Sequence, residues 1–136
     1  MVDIAVGLCK QFHTPCLLLC DTAHTMHRDG AETLVFDKGA DSVDFALVGR
    51  VERGDIVITQ DYGLASMCLA KTEHVLHQDG WAYTPDKIGA LLFQRHVSRE
   101  YRAAGGRIKG PRKRRPEQDK AFADALGSLL QQTLQG

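Results

Sequence analysis

Residues 54–63 read GDIVITQDYG, and this stretch decides the fold. Its centre, Ile56-Val57-Ile58, is a run of β-branched residues, which is typical of a parallel strand covered on both faces. Gly54 ends the preceding segment as glycines end helices, and Gln60-Asp61-Tyr62-Gly63 turns the chain towards another helix. The stretch therefore predicts a central parallel strand over residues 55–59 with helices on either side.

Helices and buried strands alternate along the rest of the chain. We predict helices at residues 2–12, 41–53, 64–71, 85–104 and 117–134, and further strands at residues 16–20, 33–36 and 74–77. This alternation is typical of an α/β fold with a mostly parallel sheet and helices on both faces. We expect one domain over residues 1–136. It would have an α/β core over residues 1–92, with a basic helix-loop-helix extension over residues 93–136 packed on it.

The composition excludes several classes of protein. Apolar residues make up 43% of the chain and charged residues 25%, as in ordinary globular proteins. No apolar run approaches the roughly 18 residues that span a bilayer, and the N-terminus lacks the basic start of a signal peptide. We therefore expect a cytoplasmic protein with no membrane partner. Its four cysteines lie in apolar surroundings, which favours buried thiols over disulfides or a zinc site.

A formal net charge of zero hides a strong division along the chain. Residues 1–92 hold seven basic and thirteen acidic residues, whereas residues 93–116 hold nine basic residues and only Glu100. Arg95, Arg99 and Arg102 follow one another at spacings of four and three, so they share one face of a helix. A loop rich in Gly, Pro and basic residues follows. Such a region attracts phosphate backbones, although a solvated loop without a ligand remains an alternative.

We therefore predict that RNA or DNA is a partner of this region. The residues that we expect to bind it are Arg99, Arg102, Lys109, Arg112, Lys113, Arg114 and Arg115.

Aspartates follow the predicted strands, where ligands of open α/β sheets bind. Asp21 follows the first strand and Asp61 the third, while Asp41 and Asp44 begin a helix and share one face. Carboxylates that converge there could hold Mg²⁺ or Mn²⁺. The alternative is that they are turn and N-cap residues. We favour that alternative for Asp41 and a functional role for Asp61, and both remain open for Asp21 and Asp44.

Several separated motifs together resemble the YaiI/YqxD family. They are KGADSVDF at residues 38–45, GDIVITQDYGLA at residues 54–65, IKGP at residues 108–111 and CDTAH at residues 20–24. That family is uncharacterised and belongs with the PIN-like nuclease folds. The resemblance implies a three-layer fold and an acidic, metal-binding cluster at the strand ends. Thr59-Gln60-Asp61 matches the Thr-x-Asp pattern of PIN nucleases, and Asp44 or Asp41 matches their helical acid.

The chain departs from the family at its N-terminus. Family members begin with a strand that ends in an Asp-x-Asp-x-Cys-Pro motif, and this chain lacks such a segment. Independently, the predicted helix at residues 2–12 has no strand before it, although such a helix normally connects two strands. We expect the strands at residues 16–20 and 55–59 to flank the position of the absent strand.

These observations lead to two hypotheses about function. The first is a PIN-like, metal-dependent nuclease (a hydrolase) acting on RNA or DNA. Its catalytic residues would be Asp61 and Asp44, with Asp61, Asp44, Asp41 and Asp21 as ligands of Mg²⁺ or Mn²⁺. Whether this N-terminally short form cleaves is left open. The second is a non-catalytic nucleic-acid-binding or regulatory protein on the same scaffold.

Overall fold

The computed structural model describes residues 1–37, 42–106 and 114–135 and shows a mixed α/β fold. The helices are α1 (Val2–Gln11), α2 (Ser42–Arg50), α3 (Tyr62–Leu69), α4 (Pro85–Ala103) and α5 (Pro116–Gln135). The strands are β1 (Leu17–Asp21), β2 (Glu32–Phe36), β3 (Ile56–Ile58) and β4 (His74–Leu76). The predicted α/β class, its element order and the C-terminal helix are confirmed.

The strands pair in parallel, as predicted, and they form two sheets, with the two strands that we expected to flank an absent strand in different sheets. β1 pairs with β2, with Leu19 opposite Leu34, and β3 pairs with β4, with Val57 opposite Val75. Within the described residues no hydrogen-bonded ladder joins β1 to β3. Each sheet thus consists of two strands that follow one another in sequence. The helix α2 contacts both β1 and α3, so helix packing connects the two sheets.

The core lies on both faces of the β3–β4 sheet. Val57 and Val75 point into one cluster with side chains from α3 and α4. Leu76, with the partly buried Ile56 and Ile58, points into the other. This division follows from the pleat of a strand, which sends successive side chains to opposite faces. The β-branched run thus has helices over both faces, as the sequence predicted.

Helix α5 supplies most of the second cluster. Phe122, Leu126 and Leu130 are buried there and pack with Ala5 of α1. Their spacing of four residues places them on one face of the helix. The predicted C-terminal helix therefore covers one face of the β3–β4 sheet together with α1.

Candidate nucleic-acid interface

A cleft between α3 and α4 gathers the predicted basic stripe. It has a volume of about 510 Å³. The residues that line it are Tyr62, Leu91, Gln94, Arg95, Ser98, Arg99 and Arg102. All three arginines are exposed and share one face of α4 because their spacing follows the helical repeat. The structure thus brings Arg99 and Arg102, two of the predicted nucleic-acid ligands, to one concave surface.

Tyr62 links this cleft to the end of β3. Its ring centre lies 5.8 Å from the guanidinium carbon of Arg95, within the range of a cation–π contact. Tyr62 is the first residue of α3 and comes directly after Asp61. Tyr62 was not among the residues predicted from the sequence to be functional. Two features of the sequence could have indicated it. Tyr62 lies at a strand-to-helix turn, and a stripe of arginines follows on a later helix.

Asp61 caps α3. Its Oδ1 accepts hydrogen bonds from the backbone N–H groups of Gly63 at 2.9 Å and Leu64 at 3.3 Å. Its own N–H donates to Oγ1 of Thr59 at 3.0 Å. These contacts satisfy helix N–H groups that would otherwise lack partners. Asp61 is exposed, and it directly precedes the cleft residue Tyr62 in sequence.

Asp21, the last residue of β1, organises the loop that follows. Its Oδ1 accepts from the backbone N–H groups of Ala23 at 2.9 Å and His24 at 2.8 Å. Nδ1 of His24 lies 3.0 Å from the same oxygen. The hydrogen bond from the His24 side chain, joined by those from the backbone, lowers the pKa of Asp21. The carboxylate therefore stays ionised and holds His24 beside it.

The other predicted metal ligands are less fully described. Asp44 lies in the first turn of α2, and its charge adds to burial in raising the pKa of the Cys68 thiol. Asp41 lies outside the described residues. Within the part of the chain that the structure describes, no three His, Cys, Asp or Glu side chains are grouped to hold a metal ion. The predicted Mg²⁺ or Mn²⁺ site therefore stays a prediction.

Arg114, predicted to bind nucleic acid, forms ion pairs within the protein. Its Nε donates to Oδ1 of Asp119 at 2.6 Å and its Nη1 to Oδ1 of Asp79 at 3.0 Å. Its Nη2 donates to the carbonyl of Gln78 at 2.8 Å. The guanidinium fork is thus largely used in holding the start of α5 to the loop after β4. Among the other basic-loop residues, Arg115 is exposed, whereas Lys109, Arg112 and Lys113 lie outside the described residues.

An aromatic cluster packs beside that loop. The His77 ring stacks on Trp81 with 4.3 Å between ring centres, and Tyr83 meets Trp81 edge-on at 4.6 Å. The Lys87 Nζ lies 4.1 Å from the centre of the Trp81 ring. Burial lowers the pKa of His77 and raises the pKa of Tyr83 to about 12, with a further contribution from Asp61 to the latter. These three rings therefore pack against one another.

Parallel strand pairs, covering helices and an arginine-lined cleft at a strand-to-helix turn define an α/β domain with a basic surface. The chain belongs to the YaiI/YqxD family, whose sequence pattern matches residues 1–132. No helix among the described residues is long and apolar enough to cross a membrane.

Curated relatives support this membership. A UPF0178 protein of Exiguobacterium sibiricum is 45% identical over 130 residues, which is 96% of this chain and 89% of that protein. A UPF0178 protein of Clostridium acetobutylicum is 39% identical over 96% of this chain and 89% of its own length. One from Ruminiclostridium cellulolyticum is 44% identical over 91% of this chain and 81% of its length. No solved structure matches this chain.

Proposed function

We propose that this protein binds RNA or DNA in the cytoplasm through the basic face of α4. The observation that carries this proposal is the cleft in which Arg95, Arg99 and Arg102 converge beside Tyr62. Planar guanidinium groups suit phosphate oxygens because they offer paired donors in a fixed geometry. Three of them on one concave surface can follow a sugar–phosphate backbone.

The charge around the cleft favours an anionic ligand. None of the side chains that line the described cleft is acidic. Glu100, on the same helix, lies 3.5 Å from His96, with which it pairs when the imidazole is protonated. The basic loop continues from the C-terminal end of α4 and adds more positive charge in sequence. A phosphate backbone in the cleft would therefore meet the arginines of α4.

Helix chemistry offers a competing explanation for one of these residues. Arg102 lies in the last turn of α4, where a cation interacts favourably with the helix dipole. That effect fades within one turn, so it does not account for Arg95 or Arg99. The test must therefore separate ligand binding from helix stability.

Salt-dependent binding of a labelled oligonucleotide tests the proposal. We expect Arg99→Gln with Arg102→Gln to weaken binding and to reduce the slope of log affinity against log salt by about 1.8 on duplex DNA and about 1.4 on single strands. The matched control is Arg50→Gln with Arg53→Gln, two exposed arginines at and beyond the end of α2. An unchanged slope in the α4 variant, or an equal loss in the control, would contradict the proposal.

The basic loop is tested separately. Replacing Lys109, Arg112, Lys113 and Arg115 with Gln should lower the slope by roughly 3 if each contacts a phosphate. Arg114 is kept in that variant because its ion pairs hold α5. A loop variant with the slope of the parent would restrict the binding surface to α4.

A second candidate function is hydrolysis of the bound nucleic acid with Mg²⁺ or Mn²⁺. It is favoured by the exposed carboxylate of Asp61, which comes directly before Tyr62 of the cleft. The described carboxylates do not form a three-ligand group, so we derive no hydrolytic step. Cleavage of a bound oligonucleotide on addition of either metal, lost in Asp61→Asn, would support this function over binding alone.

A further inference from the structure

Helix α4 carries exposed apolar side chains on the face turned away from the core. Ile88 and Leu91 of this helix pack into the core cluster. Phe93, Val97 and Tyr101 follow one another at spacings of four, so they form an apolar ridge on a different face. Their exposed fractions are 69%, 49% and 53%. Isolated exposed apolar residues need no explanation, whereas a contiguous group of them is typical of a binding surface.

The end of α4 fixes the ring of Tyr101. The N–H of Gly106 donates to the carbonyl of Tyr101 at 2.9 Å, and the N–H of Gly105 donates to that of Arg102 at 3.0 Å. Gly105 has a φ of 93°, and together these features make the Schellman turn that commonly ends helices. The turn folds the chain back onto the ring, because a side-chain carbon on Gly106 would overlap Cδ1, Cε1 and Cζ of Tyr101.

This contact leaves one side of the ring open. Three bonded ring atoms lie at nearly equal distance from that position, which places Gly106 over a face of the ring and not at its edge. About half of Tyr101 is nevertheless exposed. The backbone therefore supports the ring from one side, and a flat ligand can stack on the other.

The apolar ridge adjoins the basic cleft. Gln94 and Ser98 line the cleft. Val97 follows Gln94 by three residues and Tyr101 follows Ser98 by three, so the ridge and the cleft are neighbours on the surface of α4. Phe93 and Tyr101 are eight residues apart, which is about 12 Å along the helix. Stacked nucleotides follow one another at about 3.4 Å, so roughly four to five nucleotides reach from one ring to the other.

We propose that the apolar ridge is a stacking surface for unpaired bases, so that the protein binds single-stranded nucleic acid in preference to duplex. This inference rests on the proposed binding at the cleft. The arginines hold phosphates, and the rings of Phe93 and Tyr101 stack on bases of the same strand. Aromatic side chains beside a positively charged groove recur in proteins that bind single strands. A duplex keeps its bases paired and stacked, so it meets the arginines but not the rings.

The charge of this region favours such a ligand over a second copy of the chain. Residues 93–116 hold nine basic residues and only Glu100. Arg95, Arg99 and Arg102 lie on α4 itself. Two copies joined through their α4 helices would bring these like charges near one another, which opposes association. A polyanion that carries flat rings complements both the arginines and the ridge.

Two oligonucleotides of equal length test the inference. One is oligo(dT), and the other has the same phosphates but abasic sugars. We expect the parent to bind oligo(dT) about 100-fold more tightly than the abasic strand, about tenfold for each ring that stacks. The two salt slopes should be similar because the phosphates are the same. Phe93→Leu with Tyr101→Leu should remove most of the preference and keep the slope.

Conservative variants separate stacking from folding. Leucine keeps an apolar contact with Gly106 but has no flat ring, so urea unfolding of the double variant should resemble that of the parent. Tyr101→Phe keeps the ring and should bind oligo(dT) as the parent does. Phe45→Leu is the matched control, because it replaces a ring of similar exposure, 67%, on α2. Its affinities should equal those of the parent.

The outcomes distinguish this inference from the proposed binding itself. If the parent binds both oligonucleotides equally, with a salt slope that depends on Arg99 and Arg102, binding at the cleft stands and the stacking surface is overturned. If neither oligonucleotide binds, both proposals fail. Full affinity of the double leucine variant for oligo(dT) would also overturn the inference. So would a parent dimer in sedimentation that this variant converts to monomer, since the ridge would then belong to a second copy.

Discussion

The Nη1 of Arg114 lies 3.0 Å from Oδ1 of Asp79, across 35 positions of sequence. The same guanidinium also donates to Asp119 in α5 and to the Gln78 carbonyl. Three bonds from one planar group hold the first turn of α5 against the loop after β4. Because α5 supplies Phe122, Leu126 and Leu130 to the core, this ion pair supports the packing of one face of the β3–β4 sheet.

Replacing Arg114 should therefore reduce the stability of the fold. We expect Arg114→Gln to lower the free energy of unfolding by about 1–2 kcal/mol, since hydrogen bonds to charged groups are strong but this side chain keeps some contact with water. Urea unfolding measures the change. Arg115→Gln is the control and should stay within about 0.5 kcal/mol of the parent. Equal stability of both variants would show that the ion pairs contribute nothing.

Protonation of His77 should destabilise the fold. Burial holds the pKa of His77 below its ordinary value of 6.5, and its Nδ1 accepts the N–H of Asp79 at 3.0 Å, an acceptor that protonation removes. In the unfolded chain His77 gains a proton as the pH falls through 6.5. In the folded chain it gains that proton only at lower pH. Its contribution to stability is therefore complete above about 6.5 and is lost as the pH falls below that value, with a slope of at most about 1.4 kcal/mol per pH unit.

The variant His77→Phe tests this pH dependence while keeping an aromatic ring beside Trp81. Between pH 7 and pH 5 its free energy of unfolding should fall less than that of the parent. His27→Gln, at an exposed position of the segment between β1 and β2, is the control and should follow the parent curve. Parallel curves for the parent and His77→Phe would contradict the prediction.

The capping role of the Asp61 carboxylate can be tested separately from the role of its charge. Asp61→Asn keeps an oxygen that can accept from Gly63 and Leu64, so stability should change by only a few tenths of a kcal/mol. Asp61→Ala removes that oxygen and should cost about 0.5–2 kcal/mol. Any Mg²⁺- or Mn²⁺-dependent cleavage should disappear in both variants. Asp86→Asn, in the first turn of α4, is the control for charge. Full cleavage by Asp61→Asn would leave Asp61 with a capping role alone.

Two phenylalanines provide a matched test of the core. Phe122 is fully buried between α1, α5 and the β3–β4 sheet, whereas Phe93 on α4 is 69% exposed. Phe122→Ala should cost about 3–5 kcal/mol through lost burial and a cavity. Phe93→Ala should change stability by less than about 0.5 kcal/mol. Thermal or urea unfolding compares them, and similar losses in the two variants would contradict the placement of α5.

Local sequence signals predicted the elements well. A helix was expected to begin at residue 85, and the Oγ1 of Thr84 accepts the N–H of Lys87 at 3.2 Å at the start of α4. The β-branched run at residues 56–58 became β3, and the arginine spacing placed three side chains on one face. These predictions succeeded because capping, strand periodicity and helical spacing depend on residues within about four positions of each other.

The sequence also predicted parallel pairing, with the strands at residues 16–20 and 55–59 flanking an absent strand, and the described strands form two parallel pairs with no ladder between β1 and β3. Side-chain roles could not be obtained from local signals. Arg114 was grouped with a run of neighbouring basic residues, and its acceptors Asp79 and Asp119 were not recognisable from that run.

The sequence by itself thus determined the α/β class, the element order, the double-sided covering of Ile56–Ile58 and the arginine stripe of α4. Only the tertiary structure decided that Arg95 approaches Tyr62 and that Arg114 meets Asp79. The physical reason is the distance along the chain over which each interaction acts. Hydrophobic periodicity and helix capping involve residues a few positions apart. The contacts of Arg95 and Arg114 form only when distant segments come together as the core is buried.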